Sequence, residues 1–263
     1  RTARHPTGAD RRTPLTLFSH GYELMDARDL AQHNLLRSIQ QNPYPGRGLV
    51  VSRSAGEQGW LMVYWIMGRS ANSRNRRFLA EGGTLRTVPV EAQALTEASL
   101  IIYEAMLELP GLYLVSNGDQ TRTLYDTLAA GGTFDAALAQ REREPDAPNY
   151  TPRISAMLDL SAQQVTCSIL KANPVDPSLT DRYTYRPALP AQGLGVGLTT
   201  YSGDGNPLPS FTGEPLLLPC AGSPEAVLEL YWTSLNATNR VALAVKHIPA
   251  RGGQGTLLIR NQY

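Results

Sequence analysis

The chain has 263 residues, 42% of them hydrophobic, enough for one large domain or two small ones around a real core. A net charge of +1 gives no overall pull toward nucleic acid or an anionic membrane, and no apolar run approaches the roughly 18 residues of a membrane span. Two cysteines without a CxxC make no disulfide framework, and four histidines without ligand spacing offer no metal site.

Residues 1–24 are polar, arginine-rich and aperiodic, and Leu15 to Phe18 is too short for the apolar core of a signal peptide. They read as a poorly ordered extension, with one domain over 25–263 and a cytoplasmic location. From Asp26 the spacing of Ala27, Ala31, Leu35 and Ile39 predicts a helix, stopped before Asn42 by the NPYPG turn. Gly48 to Ser54 and Trp60 to Met67 read as strands joined across AGEQG as a hairpin.

The second strand runs into WIMGRSANSRNRRF, residues 65–78, which holds Arg69, Arg74, Arg76 and Arg77 and no acid. Twenty-two of the 24 basic residues are arginine, and residues 1–80 hold twelve of them against five acids. Coding bias explains a general preference for arginine; it does not explain four in one loop. Arginine's planar fork beside hydroxyls and amides suits phosphate or carboxylate oxygens, while a solvated basic loop is the plain alternative.

Leu85 to Val90, Leu100 to Leu109 and Leu112 to Ser116 are further strand candidates. The NGDQT turn at 117–121 leads into a helix over 121–130 closed by Gly131 or Gly132, and Thr133 can cap a second helix through Arg143. Three prolines keep EPDAPNYTPR, 144–153, irregular. Strands return at Ile154 to Leu160, Val165 to Ala172 (with Cys167 as a core residue) and Leu194 to Tyr201, where GLGVG suggests a bulge or a close backbone approach. Ser223 and Pro224 open a helix with an apolar face from Val227 to Leu235, and strands Val241 to His247 and Thr256 to Arg260 follow. Strands in runs with helices between them indicate an α+β fold rather than a Rossmann alternation.

Four segments together, YPGRG (44–48), GRSANSRNR (68–76), SNGDQT with the later GGTF (116–121 and 131–134) and EPDAPNYTPRI (144–154), resemble the archaeal-type IMP cyclohydrolase family, specifically its bacterial members. The resemblance runs from about Met25 onward and includes NRVALAVK, 239–246. It implies an Ntn-hydrolase-like four-layer αββα sandwich without an N-terminal nucleophile. It also implies closure of the purine ring of a formamido-imidazole-carboxamide ribonucleotide to IMP with loss of water, a reaction that needs no cofactor. Tyr64, Arg69, Ser70, Asn75, Arg76, Tyr103, Glu104, Asn117, Gly118, Asp119, Gln120, Thr121 and Arg153 carry over to the family's site, and Asn149 and Thr151 join them as substrate-binding residues.

Within that reading Arg47, Arg69, Arg76 and Arg153 are the phosphate candidates, with Ser70 and Asn75 completing the cradle. Arg153 has an alternative as an ion-pair partner of the acids in 142–146, and Arg74 and Arg77 are expected to face water. Tyr103 is the candidate proton donor, or else a packed core tyrosine. Glu144 is the candidate base, or else a surface acid, with Glu104 and Asp146 in reserve. The amides and hydroxyls of 117–121 read substrate edges, or serve the turn and helix cap, or both. The expected partner is a purine nucleotide, with neither nucleic acid nor membrane, and assembly into identical copies is left open. A purine-nucleotide-binding protein without turnover is the competing function.

Overall fold

The strand Gly59–Met67 (β2) is buried along nearly its whole length, and its alternation assigns its two faces. Trp60, Met62, Tyr64 and Ile66 enter one hydrophobic cluster, while Leu61, Val63, Trp65 and Met67 enter another. Such fully buried aliphatic side chains contribute about 1.5–3 kcal/mol each. The computed structural model describes residues 25–55, 59–94 and 101–263, so the expectation for residues 1–24 lies outside the described residues.

β2 is central in an antiparallel six-stranded sheet. Across that sheet the order is β11 (Leu216–Pro219), β10 (Leu194–Thr199), β1 (Gly48–Arg53), β2, β12 (Arg240–Pro249) and β13 (Thr256–Asn261). The second sheet is antiparallel with seven strands in sequence order: β3 (Arg77–Glu81), β4 (Thr84–Val88), β5 (Glu104–Leu109), β6 (Leu112–Ser116), β7 (Arg153–Asp159), β8 (Gln164–Ala172) and β9 (Thr180–Tyr185). The first cluster takes residues from both sheets, including Tyr113, Ile154 and the buried Cys167. The second packs the six-stranded sheet against α1 (Ala27–Leu35) and α5 (Pro224–Ser234). The third packs the seven-stranded sheet against α3 (Gln120–Ala129) and α4 (Phe134–Ala139). With the single turn α2 (Ala71–Arg74), the described residues hold five α-helices and two antiparallel sheets, an α+β fold. Among the described residues no helix is long and apolar enough to cross a membrane.

Several elements differ from the sequence expectation. The strand expected over 100–109 starts only at Glu104, and Leu100 lies outside the described residues. The Thr87 hydroxyl explains the late start: it accepts the Tyr103 N–H at 2.9 Å and donates to the Ile101 carbonyl at 2.7 Å, so that only the Thr87 N–H, donating to the Tyr103 carbonyl at 2.9 Å, makes a backbone bond between these residues. The first helix changes to a π-turn over Leu36–Gln40. α4 stops at Ala139 rather than Arg143, and the chain then runs irregularly, with the Glu144 N–H donating to the Thr151 carbonyl at 3.1 Å. Strands β3, β9 and β11 had no apolar alternation to announce them; β3 and β9 are polar edges and β11 has only four residues. The glycines of GLGVG mark close approach within a regular strand, because a Cβ on Gly195 would stand 2.6 Å from Val50 and one on Gly197 2.7 Å from Leu218.

Candidate active site

Three of the conspicuous sequence segments meet at one cavity of about 260 Å³. YPGRG supplies Arg47, GRSANSRNR supplies Arg69, Ser70 and Arg76, and EPDAPNYTPRI supplies Glu144, Asp146, Asn149 and Thr151. Gly46, at φ +73°, lets the first segment lie against the wall: a Cβ there would stand 2.2 Å from the Thr200 hydroxyl and 2.5 Å from the Tyr201 ring. Reciprocal bonds then fix Arg47. Its N–H donates to Thr200 Oγ1 at 3.1 Å, and the Thr200 N–H donates to its carbonyl at 2.9 Å.

The arginine segment forms α2 because Ser70 and Ser73 make a reciprocal capping box. Its tight entry is possible because Gly68 has no Cβ; one would stand 2.7 Å from the Ser73 carbonyl. Arg76 turns inward and is 1% exposed. Its Nε donates to the Ser73 carbonyl at 2.8 Å and its Nη2 to the Met67 carbonyl at 3.2 Å, while Nη1 is buried without a partner. Burial, then the neighbouring charge of Arg47, lowers the Arg76 guanidinium from its ordinary value. An inward, underpaired cation of this kind is built to meet an anion. Arg69 is more exposed; it pairs with Asp204, donates to the Gly205 carbonyl at 3.1 Å and lies 4.9 Å over the Tyr44 ring.

Opposite the arginines, the Glu144 carboxylate lies 3.4 Å from Arg47 Nη2 and leaves Oε1 buried without a partner. Burial pushes the Glu144 carboxyl above its ordinary value, with Arg47 and then Arg153 acting against the shift. Burial opposes the charge on Arg47, but Glu144 and the nearby tyrosines outweigh it and hold that guanidinium well above its usual value. A carboxyl raised in this way beside fixed cations holds a proton more readily than an exposed one, as a general base must. The Tyr64 and Tyr103 hydroxyls bond to each other at 2.7 Å within the inter-sheet core, behind the cavity wall rather than among its lining residues, and both interact electrostatically with Arg47 and Arg76. Burial, then Tyr103, raises the Tyr64 phenol well above its usual value.

The remaining candidates lie elsewhere. Asn75 exchanges two hydrogen bonds with the backbone of Glu91, at 2.8 and 2.7 Å, and so fastens that segment. Asn117 accepts from the Ile154 N–H at 2.8 Å and from Gln120 at 2.9 Å, and Thr121 bonds back to the Gly118 carbonyl at 2.9 Å. Arg153 Nη1 donates to Asp119 at 2.7 Å and to Gln120 at 2.8 Å, so its ion-pair partner is Asp119, not the acids of 142–146. Asp119 stands at the start of α3 without capping it, because it spends its carboxylate on Arg141 and Arg153. Glu104 takes a two-pronged bond from Arg122, at 2.8 and 2.6 Å, and lines a separate depression with Tyr103 and Asp119. Arg77 is exposed as expected. Arg74 is not: it donates to the Gly68 carbonyl at 3.0 Å and to Asn239 at 3.3 Å, bracing the loop.

Sequence reasoning did not single out Tyr44 and Tyr201. Their rings stack at 5.9 Å and both line the cavity. Tyr44 was in view as the first residue of YPGRG, whereas Tyr201 closed an ordinary apolar run and carried no signal. Among the described residues no group of three His, Cys, Asp or Glu side chains is placed to hold a metal ion. Residues 44–252 match the family described as IMP cyclohydrolase-like protein. No curated protein matches the chain.

Proposed function

Because the chain belongs to the IMP cyclohydrolase-like family, we propose that it is an IMP cyclohydrolase of purine nucleotide biosynthesis. It would close 5-formamidoimidazole-4-carboxamide ribonucleotide to IMP with loss of water. The observation that carries this reading is the buried Arg76, whose Nη1 lacks a partner in the same cavity where Glu144 keeps Oε1 free. An anion and a proton to be removed are what such a pair asks of a ligand.

Nucleophile and electrophile already share one imidazole ring, so the substrate supplies most of the proximity. Arg76 and Arg47 hold the phosphate, and Arg69 joins them by leaving Asp204. Ser70 and Asn149 on the cavity wall position the rest of the nucleotide. The carboxamide nitrogen attacks the formyl carbon, and its proton passes to Glu144. The formyl oxygen gains charge and takes a proton from Tyr103, whose hydroxyl is oriented by Tyr64. The product of this step is a carbinolamine. Dehydration then needs a second proton on that oxygen, which protonated Glu144 supplies, and the loss of the formamido N–H proton. Arg153, with Asn117, Gly118, Asp119, Gln120 and Thr121, supports the wall behind Glu144, and Glu104 steadies the strand that carries Tyr103. We read residues 25–263 as one domain and its fold as the Ntn-hydrolase-like αββα sandwich, a reading supported by the three apolar clusters on and between the two sheets.

The test is incubation of the purified protein with the formamido ribonucleotide, with IMP followed by ultraviolet absorbance and identified by chromatography. Saturable IMP formation that is slowed about 10²–10⁴-fold in Glu144→Gln is the expected result. Tight IMP binding without turnover would leave a nucleotide-binding protein instead.

A further inference from the structure

The hydrogens along one short row of side chains can be counted. Thr151 Oγ1 has a single hydrogen and two polar neighbours, the Asp146 carboxylate and the Tyr201 hydroxyl, the latter at 2.5 Å. An ionised carboxylate only accepts, so the Thr151 hydroxyl donates to Asp146 Oδ2. Asp146 Oδ1 takes the Thr151 N–H at 2.6 Å, so both carboxylate oxygens already face Thr151. Thr151 has no hydrogen left for Tyr201, and the tyrosine must therefore be the donor of the bond between them. Its only hydrogen points along the row, Tyr201 lines the cavity, and its hydroxyl oxygen keeps acceptor capacity. Stacking on Tyr44 holds the ring, and burial raises the phenol above its usual value, so Tyr201 does not itself stay ionised.

We infer that Tyr201, Thr151 and Asp146 form a proton relay that removes the formamido N–H proton during dehydration of the carbinolamine. The inference rests on the cyclohydrolase reading. As the proton leaves nitrogen, the N–H electron pair forms the ring C=N bond, the C–O bond breaks, and the oxygen departs as water with the proton from Glu144. The Tyr201 oxygen takes the nitrogen's proton and passes its own to Thr151. Thr151 passes its own in turn to Asp146, which ends the step as the neutral acid. Asp146 then holds one proton and Tyr103 lacks one, and exchange with solvent restores both. The overall reaction removes two N–H protons, one from each nitrogen, and two separate acceptors answer that need: Glu144 for ring closure and the relay for water loss.

The relay is tested with Thr151→Val, Tyr201→Phe, Thr151→Ser and the Thr151→Val/Tyr201→Phe double variant, each checked for folding by thermal melting. Thr151→Val keeps the side-chain shape and Tyr201→Phe keeps the stacked ring. Each should lower kcat by about 10²–10⁴-fold while KM hardly moves. Thr151→Ser keeps the hydroxyl and should restore kcat, and the double variant should be no slower than the worse single, because one interrupted row cannot be interrupted twice. Full kcat in Thr151→Val, failure of Thr151→Ser to rescue, or a double variant that loses the product of the two single effects would each overturn the relay while wild-type turnover upholds the reaction. Absence of turnover in the wild-type protein overturns the reaction and the relay together.

Discussion

The Arg47 guanidinium stands 3.4 Å from the Glu144 carboxylate, and each keeps one buried atom, Nε of the arginine and Oε1 of the glutamate, without a hydrogen-bond partner. The two charges balance each other electrically and leave hydrogen-bonding capacity unspent. A buried pair in that condition adds little net stability, because desolvation offsets the attraction. On the proposed function its value lies in what it offers a ligand.

The pH dependence follows from Glu144. Burial raises its carboxyl above the ordinary 4.5, against the pull of Arg47, Arg153 and Arg76 and with a contribution from Asp146. Ring closure needs the ionised form, so kcat/KM should fall as pH drops through the raised value, with a midpoint above 4.5. For stability the sign is opposite. The folded state holds this proton more tightly than the unfolded state, so the stabilising contribution is present below about 4.5 and is lost as pH rises through the folded value. Glu144→Gln should therefore remove the acid limb of activity and flatten that part of the stability curve. Rate profiles and thermal melts across the acid range check both, and an unchanged acid limb in the variant would take Glu144 out of the base role.

Arg76→Met should weaken IMP binding about 10–100-fold, as expected for losing a charge-assisted bond worth roughly 1.5–3 kcal/mol. The phosphate is held equally in ground and transition states, so KM should rise with little change in kcat. Arg76→Lys should not rescue it, since Nε and Nη2 hold the Ser73 and Met67 carbonyls while Nη1 is left for the ligand, a division of labour an ammonium cannot copy. Arg69→Ala should cost less, because its exposed guanidinium must first leave Asp204. Calorimetry with IMP on the three variants decides, and equal losses at positions 69 and 76 would contradict this ranking.

Tyr103→Phe should lower kcat by about 10²–10⁴-fold if its hydroxyl serves the formyl oxygen. It also strands the Tyr64 hydroxyl, which bonds to it at 2.7 Å in the core, at a cost of about 1–3 kcal/mol in stability. Removing both hydroxyls in Tyr64→Phe/Tyr103→Phe should recover most of that stability and none of the rate. Melting curves and steady-state kinetics separate the two effects, and a double variant that regains kcat would assign Tyr103 a structural role only.

Much of the cavity was legible because its parts are local. The NPYPG run announces a turn, the arginines of 68–76 stand among hydroxyls and amides, and three prolines announce an irregular run, and each of those segments carries a charged residue to the same place. The polar turn at 117–121 read equally well as site or scaffold, and its hydrogen bonds run to Ile154, Pro152 and Arg153 rather than into the cavity. Tyr201 and Asp204 were invisible, since their positions depend on Thr200 bonding to Arg47 and on a loop that the sheet pairing folds back over the arginines. Edge strands β3 and β9 were missed for a related reason: their stability comes from a neighbouring strand, and their own side chains are mostly exposed.

Gly48 ties the motif that bears Arg47 to the core beneath it. It pairs with Trp65 across β1 and β2, and a Cβ would stand 1.9 Å from the indole ring. Trp65 cannot yield easily, because it is fully buried and stacks on Tyr231 at 5.6 Å. Gly48→Ala should therefore destabilise the fold by about 1–3 kcal/mol, the usual cost of overpacking. At about 2–4 °C per kcal/mol in a chain of this size, the melting temperature should fall by several degrees. The strain should ease when the large ring is replaced, so Gly48→Ala/Trp65→Leu should melt above the sum of the two single losses. Activity should follow the same order, since a displaced β1 carries Arg47 away from Glu144. Differential scanning calorimetry on the four proteins measures the coupling, and strict additivity would show that the indole is not what the glycine accommodates.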